Sequence, residues 1–200
     1  MLKRVCVYCG SGVGGQEAYA RAARELGEAM VRRRIGLVFG GGRIGMMGIL
    51  AKAVLAGGGE AVGVIPKHLE DKGLALTSVT ALHVVDSMHT RKALMADLAD
   101  GFIAMPGGFG TAEEFFEILT WAQLGLHVKP CGLLNVRGYF DHLIRFVDHA
   151  VEQEFIHPAH RALLIVDDSP EALLERLAAW QPPPDMDKAT WATKLIRDLE

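Results

Sequence analysis

The sequence predicts an α/β protein: a Rossmann-like, doubly wound, mostly parallel sheet of about seven strands with helices on both faces. Three observations predict it. Short β-branched runs alternate with longer helical patterns along the chain, the order a parallel sheet requires. Most of the short runs are apolar throughout, as expected of strands covered on both faces. Glycine clusters follow the first, second and fifth runs, where a doubly wound sheet places its ligand loops.

In chain order, strands are expected at Lys3–Tyr8, Ile35–Phe39, Ala61–Ile65, Leu82–Val85, Phe102–Met105, Cys131–Asn135 and Leu163–Val166. Helices are expected at Glu17–Arg33, Met46–Leu55, Met88–Leu98, Ala112–Leu124, Tyr139–Glu152 and Pro170–Trp180. Gly57-Gly58-Gly59 reads as the C-cap and turn ending the second helix, and Asp86 or Ser87 as the N-cap of the third. No linker or internal repeat interrupts the pattern before Pro182-Pro183-Pro184. One domain is therefore expected over residues 1–181, with 182–200 as a C-terminal tail. Within that tail Trp191, Leu195 and Leu199 recur every four residues, one stripe of a helix over Asp187–Glu200.

Composition narrows the class. All 23 glycines lie between Gly10 and Gly138, without the three-residue period of collagen. Half of the residues are hydrophobic, which excludes a disordered linker. With 21 basic against 24 acidic residues the net charge is −3, which argues against a nucleic-acid partner. No window approaches a membrane span. The apolar stretch after Lys3-Arg4 stops at Gly10, too short for a signal peptide. Three cysteines, an odd number with two close together, suit a reducing compartment, so a cytoplasmic location is expected.

The glycine loops point to a phosphorylated ligand. Gly10-Ser11-Gly12 with Gly14-Gly15 follows the first strand, Gly40-Gly41-Gly42-Arg43-Ile44-Gly45 with Gly48 the second, and Pro106-Gly107-Gly108-Phe109-Gly110-Thr111 the fifth. Glycine lets backbone amides approach an anion, and a helix N-terminus adds unpaired donors and a positive dipole end. Ser11, Gly41, Gly42, Gly45, Gly107, Gly108, Gly110 and Thr111 are the phosphate-binding candidates. Gly40, Gly42 and Gly45 spell G-x-G-x-x-G, but a dinucleotide site needs an acid ending the next strand. That strand ends at Ile65-Pro66-Lys67, and Glu60 precedes it. A P-loop fails because no Gly-Lys-Ser/Thr follows a glycine run.

Two charged residues belong to the same edge. Arg91 is spaced three and four from Met88, Leu94 and Met95, so it lies on an apolar stripe where a guanidinium needs a partner. Glu114 fits a capping box with Thr111 as N-cap, or it serves as a carboxylate beside the glycine mouth. An Arg91–Glu114 ion pair would orient that carboxylate. Lys92 lies off the stripe, either as surface charge or reaching over the ligand.

Pro106-Gly107-Gly108-Phe109-Gly110-Thr111-Ala112-Glu113-Glu114 resembles the PGGxGTxxE signature of the LOG family, the cytokinin riboside 5′-monophosphate phosphoribohydrolases long mislabelled as lysine decarboxylases. Cys9-Gly10-Ser11, Gly40–Gly48, Met88–Lys92 and Leu119–Gly125 are also similar to that family, and the likeness spans about residues 3–180. The resemblance implies hydrolysis of the N-glycosidic bond of a purine nucleoside 5′-monophosphate, without a cofactor or metal. By position it makes Arg91 and Glu114 the catalytic pair, and Lys92, Gly108, Gly110, Thr111 and Thr120 substrate contacts. It also implies a homodimer with the site near the subunit interface. Gly73, Gly12, Thr90 and Arg137 depart from the family pattern, Gly73 where an acidic substrate contact is common. The rival reading is a non-catalytic carrier of a phosphorylated cofactor, as in molybdenum-cofactor carriers.

Other constellations carry less. Cys6-Val7-Tyr8-Cys9 is a C-x-x-C within a strand, where an offset of three sends the thiols to opposite faces, so core cysteines are expected. The eight histidines lack metal-ligand spacing and are expected at the surface or an interface. Nothing singles out Lys52, Lys67 or Lys92 as a Schiff-base lysine for pyridoxal phosphate.

Overall fold

The computed structural model describes residues 2–183 of the 200-residue chain. The tail helix expected over Asp187–Glu200 lies outside the described residues.

Seven parallel strands form one sheet: β1 (Arg4–Tyr8), β2 (Gly36–Phe39), β3 (Ala61–Pro66), β4 (Ala81–Val85), β5 (Gly101–Ala104), β6 (Cys131–Leu134) and β7 (Leu164–Asp167). Their order across the sheet is β4-β3-β2-β1-β5-β6-β7. The chain builds outward from β1 to β4, returns to the other side of β1, and builds outward again. The reversal lies between β1 and β5, where Val5 pairs with Gly101 and Tyr8 with Ala104.

The larger helices are α1 (Glu17–Arg32), α2 (Gly45–Ala56), α4 (Met88–Leu98), α5 (Phe109–Gln123), α6 (Asp141–Glu152) and α8 (Pro170–Ala179). Each lies within three residues of its expected bounds. Two single-turn helices, α3 (Lys67–Glu70) and α7 (Pro158–Arg161), and a 3₁₀ turn at Val136–Gly138 were not foreseen. Elements this short carry no full hydrophobic period to read.

Strand alternation divides the core into two layers. Val5, Val7, Leu37, Phe39 and Ile103 face Leu26 and Met30 of α1, Leu50 and Val54 of α2, and Leu173 and Leu177 of α8. Cys6, Tyr8, Val38, Val64, Phe102 and Leu133 face Met95 of α4, Phe115 and Ile118 of α5, and Val147 of α6. Both faces of each central strand are thus covered, which is why those strands read as unbroken apolar runs. Among the described residues no helix is long and apolar enough to cross a membrane.

Cys6 and Cys9 fall in opposite layers, as the strand offset requires. Both thiols and that of Cys131 are free and buried, and burial pushes all three well above the usual thiol range. One histidine departs from expectation: His160 is buried at α7 rather than on the surface. The α7 turn it belongs to, opened by Pro158 and capped by the His157 ring accepting from Ala159 N, folds it inward.

Candidate active site

A cleft of about 440 Å³ opens at the carboxyl ends of the strands, over the β1/β5 reversal. Three loops meet there. The loop after β1 contributes Cys9, Gly10 and Ser11, the loop after β2 Gly40, Gly42 and Ile44, and the start of α5 Gly108, Phe109, Gly110 and Thr111. The loops are tied together: Gly10 N donates to Pro106 O at 3.1 Å, and Met46 N donates to Gly10 O at 3.0 Å. Gly45 has φ +63°, and a Cβ there would lie 2.1 Å from Ser11 O, so only glycine lets α2 begin against the β1 loop.

α4 brings Arg91 to the cleft. Ser87 is its N-cap, accepting from Thr90 N at 3.1 Å. One turn on, the Arg91 side chain is only 9 % exposed. Its Nε donates to Val64 O at 3.1 Å and its Nη2 to Gly40 O at 3.3 Å, spanning the ends of β2 and β3. Gly40 must be glycine for this to occur, because a Cβ there would lie 1.8 Å from Nη2. The remaining nitrogen, Nη1, stands 3.3 Å from Oε1 of Glu114, whose side chain is 10 % exposed. Burial raises the Glu114 carboxyl above the ordinary carboxylate value, and the Arg91 charge opposes that rise. Arg91 is its ion-pair partner among the described residues, and it touches one oxygen. Glu114 itself lines the cleft.

The capping-box reading of Glu114 does not hold. α5 begins at Phe109 with Gly108 as N-cap and no side-chain cap, so Thr111 lies in the first turn and Glu114 in the second. Gly108 and Gly110 read as loop because glycine is a poor helix former. The consequence favours anion binding: Ala112 N makes the first intrahelical bond, to Gly108 O, so the amides of Phe109, Gly110 and Thr111 have no partner within α5. All three residues line the cleft.

Lys92 is not surface charge. Its side chain is 9 % exposed, with Nζ between Glu113 and Glu117, the latter at 3.0 Å. Burial pulls its pKa down, and the two carboxylates more than offset this and leave it raised. It ties α4 to α5 beside the Arg91–Glu114 pair without lining the cleft.

The structure brings Ser11, Gly42, Arg91, Gly108, Gly110, Thr111 and Glu114 to one cavity. Gly107 lies behind it, lining an adjoining hollow with Ser11 and Gly108. Gly41 packs on β3 and Gly45 on the β1 loop, so both shape the walls from outside. Thr120 is exposed further along α5, its Oγ1 donating to Phe116 O at 2.7 Å. Sequence reasoning missed Leu69 and Leu74, which reach the cleft from the unforeseen α3 segment, and Phe109, whose place in a glycine run hid it. Met88 and Met95 could have been found, since they share the stripe of Arg91.

The family model described as "Possible lysine decarboxylase" matches residues 47–177. The chain is 48 % identical over 181 residues to a cytokinin riboside 5′-monophosphate phosphoribohydrolase of Arabidopsis thaliana, covering 90 % of this chain and 85 % of that one. The chain belongs to the LOG family. A second LOG protein of Arabidopsis thaliana, with the same name, is 45 % identical over 197 residues, covering 98 % and 89 %. Among solved structures, the molybdenum cofactor carrier protein of Chlamydomonas reinhardtii superposes with a TM-score of 0.68 at 21 % identity, covering 90 % of this chain and all of that one. A molybdenum cofactor binding protein of Rippkaea orientalis gives 0.66 at 20 %, covering 90 % and 97 %. These two share the doubly wound architecture.

Proposed function

We propose that this LOG-family chain hydrolyses the N-glycosidic bond of adenosine 5′-monophosphate and its N6-modified forms, releasing the free base and ribose 5-phosphate. The observation that carries the reading is the buried Arg91–Glu114 pair opening onto a cleft that also receives the uncapped N-terminus of α5. The amides of Phe109, Gly110 and Thr111 hold the 5′-phosphate, where unpaired donors and the helix dipole favour negative charge. Anchoring that non-reacting group positions the ribose beside Glu114. As the C1′–N9 bond breaks, positive charge builds on the ribose ring. The Glu114 carboxylate stabilises that charge and orients the water whose oxygen bonds to C1′. The bonding electrons leave with the base, which takes up a proton. Arg91 opposes the effect of burial on the Glu114 carboxyl and fixes its direction. Lys92 holds the two helices that carry the pair.

The wider setting follows from the same reading. The chain works as one domain over 1–181, in the cytoplasm, where three buried thiols remain unpaired. It pairs as a homodimer through the apolar surface beside the α5 N-terminus.

Incubation with AMP and with isopentenyladenosine monophosphate, followed by chromatography, tests the activity. Free base from either supports it; none from any nucleotide, with the protein folded, overturns it. The rival reading, a carrier of a phosphorylated cofactor, shares the fold and the phosphate cradle, but it gives a buried carboxylate beside the ribose nothing to do.

A further inference from the structure

Tyr139 follows the 3₁₀ turn after β6, and the Asn135 side chain bridges that turn. Asn135 Oδ1 accepts from Phe140 N at 2.7 Å, while its Nδ2 donates to Asp141 Oδ1 at 2.8 Å. The Tyr139 ring packs edge-on against Tyr19 of α1 at 5.7 Å and against Phe140 at 5.0 Å. So held, its hydroxyl donates to Gly107 O at 2.5 Å. Tyr139 lines the adjoining hollow with Gly107 and Gly108, and it does not line the cleft itself.

The Gly107–Gly108 peptide immediately precedes α5. It is planar and trans, so turning the Gly107 carbonyl toward Tyr139 aims the Gly108 N–H the opposite way. With glycine on both sides, side-chain sterics hold the orientation of this peptide only weakly. Its hydrogen bond therefore sets it. The neighbouring Pro106 carbonyl is tied by Gly10 N. Tyr139 supplies the matching tie one residue later, at the point where the uncapped amides of α5 begin.

We infer that Tyr139 is a positioning residue for the 5′-phosphate, acting from behind the cleft through the Gly107 carbonyl. This inference rests on the nucleotide reading above. Replacing the hydroxyl leaves the ring contacts in place and frees the peptide to rotate, which blunts the phosphate subsite and leaves the base and ribose subsites intact.

The test is Tyr139→Phe, with calorimetric titration of ribose 5-phosphate and of adenine, steady-state kinetics on AMP, and a melting curve. Loss of one hydrogen bond should weaken ribose 5-phosphate binding roughly three- to tenfold and raise KM for AMP by the same factor. The kcat should stay within about twofold, because the reacting centre is unchanged once substrate is seated. Adenine affinity and melting temperature should hold. A merely structural role would lower the melting temperature and weaken both ligands together. That result, or an unaltered affinity for ribose 5-phosphate, overturns the inference. If the unsubstituted protein hydrolyses AMP and the variant matches it, only the role of Tyr139 falls. If the unsubstituted protein binds no ribose 5-phosphate and cleaves no nucleotide, both readings fall.

Discussion

Glu114 sits between two opposed influences, and its titration is where the proposed chemistry is most exposed to test. Burial favours the protonated carboxyl and the Arg91 guanidinium favours the carboxylate; burial wins, so the pKa lies above the ordinary value. If the ionised form is the working one, the acid limb of kcat/KM lies above the ~4.3 of an exposed glutamate. Arg91→Met removes the opposing charge, so the limb of its residual activity moves to still higher pH; an unmoved limb would detach Glu114 from it. Glu114→Gln should lower kcat by about 100-fold or more while AMP binding persists, measured by titration beside turnover. Loss of both together would mean that Glu114 mainly holds the fold. These two residues were legible because each broke a local rule: a guanidinium on an apolar stripe and a carboxylate at a glycine mouth. Lys92 was not, since the carboxylates that draw it inward lie on α5, more than twenty positions along the chain. Tyr139 was also illegible, because its partner is a backbone carbonyl in a distant loop.

At the scale of elements, the strands were readable because both sheet faces are covered, which makes each strand an apolar run whatever its neighbours are. Helix starts were harder. α4 begins at a serine that caps it, and its first residue was foreseen; α5 begins in glycines, and its start was placed three residues late. Tertiary fit overrides propensity there, since the loop must pass close to β1 before it turns helical. The same close fit sets a prediction on the β2 loop. Gly40→Ala forces Arg91 out of its seat, and a displacement near 1 Å in a catalytic group costs about 100-fold in rate. Gly58→Ala makes the contrasting control. Gly58 has φ +76° with open space around it at the far end of α2, so alanine there should cost about 1–2 kcal/mol of stability and leave turnover intact. Comparing melting temperature and kcat for the pair separates seating of the guanidinium from general destabilisation. Equal losses of activity in both variants would refute the seating argument.

The whole molecule presents an unbalanced surface. Phe109 at the head of α5 is 98 % exposed, Phe146 of α6 is 62 % exposed, and Tyr139 between them is 41 % exposed. Together with Leu143 and Phe140 they line one apolar groove that runs to the rim of the cleft through Gly108 and Thr111. A contiguous aromatic patch of this kind is uncommon on a monomer and usual at the centre of an interface. The sequence showed α6 as a helix but not this face, because Phe109 and Phe146 are distant in the chain and meet only across the β5 and β6 loops. Burying the patch against a second copy would cover the open side of the cleft and exclude water from the ribose. Phe146→Glu places a charge at the patch without touching the Arg91–Glu114 pair. In sedimentation velocity the unsubstituted protein should run as two chains and the variant as one. With a site completed by pairing, the variant should also lose turnover at low protein concentration and recover part of it as concentration rises, since mass action restores the dimer. A variant that still sediments as two chains would move the interface elsewhere on the molecule. A monomeric variant with full turnover would show that each cleft is complete within its own chain.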